Sequence, residues 1–331
     1  MTLLIAVIIF IVSLAVLVKG SDWLLSGAEN VGLSLGLSPF VIGVILVGIG
    51  TSFPELMSGL AGVFSGIPEI VVANATGSNI ANILLVVGTI AIIARHITIV
   101  RDLITLELPL LAISTLLFLG SVYDGEVTLI EAIILCLAYG IYIAYSFFSG
   151  EAGASIAAVE KTAELKEEVE EKEIGFSQFM DGVYALKDYG LLLVGAAAVY
   201  FGATYLVDSV ITLSSLLNIA PGVISITAIA FGTSLPELAV SVRAVTLGKT
   251  EVAIGNILGS NAFNALMVVG IPGLFTTLPV DEQTLAIGVP AMALVTLIFI
   301  ISAISKKIFH WEGMMFLLVY IFFMLKLFAV M

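Results

Sequence analysis

Residues 50–56 read GTSFPEL and residues 232–238 read GTSLPEL. The two copies lie 182 residues apart, and the likeness runs well beyond them. Set against each other without a gap, Pro39 to Gly88 and Pro221 to Gly270 share 21 identical residues in 50. A second block falls in the same frame, GSNIAN at 77–82 against GSNAFN at 259–264. The chain is therefore two copies of one unit. Each copy carries its polar residues in segments otherwise apolar enough for a membrane, where a carboxylate by default marks a substrate or ion pathway. Apolar segments broken by Gly and Pro at matching places in two halves point to a transporter binding site.

Composition excludes a soluble protein. Hydrophobic residues make up 60% of the 331 residues and charged ones 11%, and mean hydropathy is +1.20. Average soluble domains are about half apolar and a quarter charged. The net charge of -13 describes one segment, because nine of the 25 acids fall between Glu151 and Asp181. Nothing basic favours nucleic acid, and the expected surroundings are a lipid bilayer. The single cysteine, Cys136, reads as a small buried apolar residue.

Segments of about 20 apolar residues are found at 2–18, 39–64, 70–94, 103–121, 127–149, 187–209, 219–246, 251–276, 283–305 and 311–330. The expected fold is an all-α integral membrane protein of ten transmembrane helices, five per half. The halves are 1–149 and 187–331, joined by an acidic cytoplasmic linker at 150–186. With the N-terminus outside, 11 of the 12 basic residues fall on the cytoplasmic side and Lys326 alone does not, as the positive-inside rule asks. Both termini are then external. An odd number of helices per copy inverts the second copy against the first. GTSFPEL enters from the cytoplasm, GTSLPEL from outside, and the two meet near the bilayer midplane.

The motif residues have physical roles. Pro54 has no N–H and crowds the carbonyl of Gly50, so the helix is expected to kink or unwind there. Backbone freed at membrane depth survives only where it lines a cavity or coordinates something. Thr51 and Ser52 add hydroxyls, and Glu55 shares a face with Ser52. Thr233, Ser234 and Glu237 repeat the arrangement, as Ser260 and Asn264 repeat Ser78 and Asn82. The set is oxygen-rich, without thiolate or imidazole, and oxygen sites suit hard cations such as Ca2+. An intramembrane hydrolase could also use two carboxylates, and a channel could use the same ligands. The hydrolase needs no paired serines, asparagines and broken helices in both halves, and a channel needs no alternating gates.

The twin GTSxPEL motifs, each followed by GSNxxN, resemble the repeats of the calcium/cation antiporter superfamily, sodium/calcium exchanger type. The resemblance covers nearly the whole chain and implies secondary antiport, about three Na+ for one Ca2+ by alternating access, with broken helices at a central site. The ions are cargo and no resident cofactor is implied. It implies Glu55 and Glu237 as central carboxylates shared by both ions. Thr51, Thr233, Gly48 and Ala230 match carbonyl-offering positions, and Ser52, Ser78, Ser234 and Ser260 match hydroxyl ligands of flanking Na+ sites. Asn82 and Asn264 match the middle site. An amide at 264, where the potassium-dependent branch carries an acid, implies K+-independent, electrogenic exchange at the cell membrane. A proton- or K+-coupled divalent-cation exchanger is the alternative.

Outside the motifs, the aromatic run Tyr139, Tyr142 and Tyr145 is expected at the membrane interface, Glu107 and Glu131 at helix ends, and Gly20, Gly27, Gly32 and Gly36 at close helix contacts.

Overall fold

The computed structural model describes residues 3–98, 107–146, 176–216 and 234–329, and these are helical apart from four short strands. In chain order the helices are α1 (Leu3–Ser34), α2 (Pro39–Phe64), α3 (Ile70–Ala94), α4 (Leu108–Val122), α5 (Leu129–Ser146), α6 (Phe176–Leu216), α7 (Leu235–Thr246), α8 (Thr250–Gly273), α9 (Thr284–Ile304) and α10 (His310–Ala329). Among the described residues, seven are long and apolar enough to cross a membrane, and α4 is a shorter apolar helix.

Two helices outrun their apolar segments. The first segment was expected to end at 18, yet α1 continues to Ser34. The charges that follow do not stop the helix because they find partners. Lys19 lies 3.8 Å from Asp22, Asp22 pairs with Arg243 of α7, and Glu29 pairs with Lys249 just before α8. Helix α6 starts at Phe176, within the segment read as linker, and ends at Leu216 rather than 209. Most of the segment's acidic run lies outside the described residues.

Helices α1 and α6 pack antiparallel at backbone contact. A Cβ built on Gly20 would sit 2.8 Å from Ala198 Cβ, and one on Gly27 would sit 2.4 Å from the Leu192 nitrogen. Reciprocally, Gly195 meets Leu24 at 2.3 Å and Gly202 meets Leu17 at 2.7 Å. Small residues permit such approach where lipid supplies no hydrophobic drive between helices. Gly36 behaves differently from its expected contact role. It takes φ +74° in the turn after α1, with nothing within 4 Å of its Cβ position.

The centre of the molecule is α8, buried along almost its whole length. The first half of α2 lies against it so closely that a Cβ on Gly259 would reach 2.2 Å from the Val44 carbonyl oxygen. Here the helices leave α geometry. Ile42–Val47 of α2, Asn82–Val87 of α3, Asn264–Val268 of α8 and Thr284–Gly288 of α9 are π-helical. The Asn82 and Asn264 segments begin 182 residues apart, at the repeat offset. Helix unwinding at Gly50 is not what the chain does. Pro54 sits inside continuous α-helix from Gly48 to Phe64, and the departure lies upstream, where the Gly48 N–H turns back to Gly43 O.

Two antiparallel ribbons tie helix ends together. Strand β1 (His96–Thr98) pairs with β4 (Lys307–Phe309), and β2 (Glu126–Val127) pairs with β3 (Leu278–Pro279). The repeat offset carries β1 onto β3 and β2 onto β4, so it exchanges the two ribbons.

The α1–α6 seam gives a stability test. Gly195→Val should lower the thermal midpoint of the detergent-purified protein, since overpacking costs about 1–3 kcal/mol. Gly140→Ala, with nothing within 4 Å of its Cβ position, should not lower the midpoint and should raise it slightly, since alanine favours a helix interior over glycine. Equal midpoints would contradict backbone contact at the seam.

Candidate ion-binding site

The repeated motifs come together in the middle of the helices. Helix α2 supplies Thr51, Ser52 and Glu55, and α3 supplies Ser78 and Asn82. Ser234 is the N-cap residue of α7, with Pro236 and Glu237 in its first turn. A proline is tolerated there because the first N–H groups of a helix lack intrahelical partners, and the helix N-terminus favours the negative charge of Glu237. Helix α8 supplies Ser260 and Asn264. Every one of these nine side chains is at most 2% exposed. Thr233 and Ala230 lie outside the described residues.

Direct contacts join the copies. Ser52 Oγ donates to Glu237 Oε1 at 2.8 Å. Ser260 Oγ lies 3.3 Å from the Gly48 carbonyl oxygen and 3.3 Å from Thr51 Oγ1. Glu55 follows Ser52 by three residues on the same face of α2, so both carboxylates adjoin the Ser52 hydroxyl's side of the site. Around them, buried polar atoms are left without partners. They are both carboxylate oxygens of Glu55, Glu237 Oε2, Ser78 Oγ, Ser234 Oγ and both amide atoms of Asn82 and of Asn264. Native proteins leave few such groups, and each asks for an explanation. Two carboxylates away from water need a counter-charge, and clustered oxygens are what a hard cation takes. A cleft of about 480 Å³ reaches Glu55, lined by Pro54, Met57, Ser58 and Ala61 of α2, Tyr200, Ala203 and Thr204 of α6, and Pro236.

Residues that the motif reading passed over complete the surroundings. Asn256 Oδ1 accepts from Thr51 Oγ1 at 3.0 Å, and its Nδ2 donates to Ser241 Oγ at 2.9 Å. Asn74 Nδ2 donates to the Glu55 carbonyl at 3.4 Å, and Asn79 Nδ2 to the Asn261 carbonyl at 3.2 Å. The signal was present, since Asn74 matches Asn256 and Asn79 matches Asn261 in the repeat.

Two expectations are corrected. Tyr139 and Tyr142 are buried, not at the interface. Their rings stack at 6.0 Å, and Tyr139 meets Phe263 edge-on at 5.5 Å, beside Asn264. Glu107 is buried too, with Ser146 Oγ 3.4 Å from its Oε1. Nearness to a helix end suggested exposure, but the start of α4 is covered by the end of α5. Glu131 does act at a helix end, taking the Thr128 N–H at 2.8 Å at the start of α5.

The family described as sodium/calcium exchanger protein matches residues 5–148 and 187–329. The chain belongs to the sodium/calcium exchanger family. It is 33% identical to the sodium/calcium exchanger MaX1 of Methanosarcina acetivorans over 98% of each chain. It is 31% identical to the inner membrane protein YrbG of Escherichia coli, over 90% of this chain and 88% of that one. A structure of the sodium-calcium exchanger NCX_Mj, soaked with 10 mM Na+ and zero Ca2+, superposes with a TM-score of 0.76 at 28% identity, covering 97% of this chain and 98% of that one. Family membership makes the chain a multi-pass membrane transport protein and not an enzyme.

The orphaned oxygens predict ion-dependent stability. A ligand at a hundred times its dissociation constant stabilises by about 2.7 kcal/mol. Ca2+ should raise the unfolding midpoint of the purified protein, and Glu55→Gln or Glu237→Gln should each abolish that rise while still folding. An undiminished rise in either variant would remove that carboxylate from the site.

Proposed function

We propose that the chain is a secondary antiporter that exchanges Na+ for Ca2+ across the cell membrane by alternating access. The observation that carries this reading is the pair Glu55 and Glu237, one from each copy, buried together with unpartnered oxygens. The ions are cargo, and no resident cofactor takes part. The names of relatives support the choice of ions, since MaX1 is a sodium/calcium exchanger and structures of NCX_Mj were soaked with Na+, Ca2+ and Sr2+.

In this reading the ten helices form two inverted repeats of five, 1–149 and 187–331, around the 150–186 linker. The exchange of the two ribbons under the repeat offset supports an inverted pair, as does the antiparallel seam in which Gly20 and Gly202 occupy equivalent positions. The basic residues put the linker in the cytoplasm and both termini outside. The cleft lies on the Met57–Ala61 side of Glu55 and then opens outward. Glu55 and Glu237 serve Ca2+ and Na+ in turn. Ser52, Ser78, Ser234 and Ser260 serve the flanking Na+ positions with carbonyls of Gly48, Thr51, Ala230 and Thr233, while Asn82 and Asn264 line the middle.

The resemblance implies three Na+ for one Ca2+, and charge then makes that exchange electrogenic. Two carboxylates give the site two negative charges and the asparagines add none, so one Ca2+ neutralises it. Three Na+ leave one positive charge to cross, and the amide at 264 leaves K+ without the acid it would need. One charge moved through 100 mV is worth about 2.3 kcal/mol, roughly fiftyfold in the equilibrium Ca2+ gradient.

Proteoliposomes clamped with K+ and valinomycin test this. An inside-negative potential of that size should drive Na+ entry and Ca2+ extrusion and move the gradient by that factor. In the same preparation, Asp124→Cys in a Cys136→Ala background should label with an impermeant maleimide from the outer face only. Flux indifferent to voltage would mean an electroneutral two-for-one exchange or a compensating proton. Flux that required K+ would replace this reading with the K+-coupled one.

A further inference from the structure

Asn256 lies on α8 one turn before Ser260, and nothing of it is exposed. It touches two other helices at once. Its Oδ1 accepts from Thr51 Oγ1 of α2 at 3.0 Å, and its Nδ2 donates to Ser241 Oγ of α7 at 2.9 Å. Ser241 sits four residues after Glu237, on the same face of α7. An amide accepts through its oxygen from one neighbour and donates through its nitrogen to the other. The Thr51 hydroxyl lies 3.3 Å from both the Gly48 carbonyl oxygen and Ser260 Oγ. Asn256 therefore ties together the three helices that carry Thr51, Glu237 and Ser260.

The matching position in the first copy lacks half of this tie. Asn74 is the counterpart of Asn256, but the counterpart of Ser241 is Gly59, which has no hydroxyl. Asn74 Nδ2 instead reaches the Glu55 carbonyl at 3.4 Å. The Ser241 partner is thus present in one half of the repeated site and absent from the other.

We propose that Asn256 is a positioning residue. It anchors Thr51 to α7, and so keeps the Gly48 carbonyl and the Ser260 hydroxyl turned to the same point, where they favour a monovalent cation. The inference rests on the Na+/Ca2+ reading of the site. It assigns this half of the site to Na+ selectivity.

The test separates the two ions in proteoliposomes. Asn256→Ala should raise the half-saturating Na+ concentration by about fivefold to tenfold, the worth of one or two net hydrogen bonds. The half-saturating Ca2+ concentration and the maximal rate should stay within about twofold, less than one hydrogen bond accounts for. Ser241→Ala should act in the same direction, and the double variant should be no worse than Asn256→Ala alone, since the serine works through the asparagine. Gly59→Ser, whose Cβ would meet nothing closer than Pro272 Cγ at 3.6 Å, should supply the missing partner for Asn74 and lower the half-saturating Na+ concentration. Equal shifts for both ions, an unchanged Na+ response, or single effects that add in the double variant would each overturn the proposal. If Asn256→Ala does not fold, Ser241→Ala carries the test. If the parent shows no Na+-driven Ca2+ flux, the exchange reading fails, and Na+ calorimetry on the purified parent and Ser241→Ala proteins still decides the positioning role.

Discussion

Two carboxylates share one buried space in this protein, and most of its architecture follows from what that requires. Taking a charged group out of water carries an effective penalty of several kcal/mol, and a second like charge nearby adds to it. Glu55 and Glu237 are both essentially unexposed, and Ser52 satisfies only one of their four oxygens. Attraction from a cation offsets that penalty, so the pair works as a standing demand for one. A transporter needs that demand to be met by different ions in turn, which a permanently bound metal or a protein cation would prevent. No lysine or arginine of the described residues pairs with either glutamate.

The surroundings answer two further needs, oxygens at the right places and helices able to rearrange. Hydroxyls and amides come from residues one helical turn apart, and π-helical stretches begin at Asn82 and Asn264 themselves. The α1–α6 pair is different in kind. It is joined by glycine at backbone distance, it meets α7 through Asp22 and Arg243, and its α6 member lines the cleft that reaches Glu55.

The repeat made the site legible before any coordinates. A carboxylate repeated at matching depth in two apolar segments has few meanings, and the matched serines and asparagines narrow them. What the sequence hid was tertiary. Pro54 suggested a kinked or unwound helix, yet it lies within helix continuous from Gly48 to Phe64, and the π-helical stretch Ile42–Val47 falls before it. Tyr139 and Glu107 sat near helix ends, where exposure is the usual outcome, and burial came from α8 and α5 folding over them. The first segment was ended at 18 because Lys19 closes the apolar run, yet Lys19 and Asp22 start an ion-paired extension of the helix. Asn256 was visible as an identity with Asn74, but its partners lie on other helices.

The central claim is that the same two carboxylates hold Na+ and Ca2+ by turns. Calcium binding to the purified protein, titrated at graded Na+ concentrations, tests it most directly. The account predicts that the apparent Ca2+ dissociation constant rises more steeply than the first power of Na+, because more than one Na+ must leave before Ca2+ can enter. A Ca2+ affinity that stays constant across the Na+ series would contradict it.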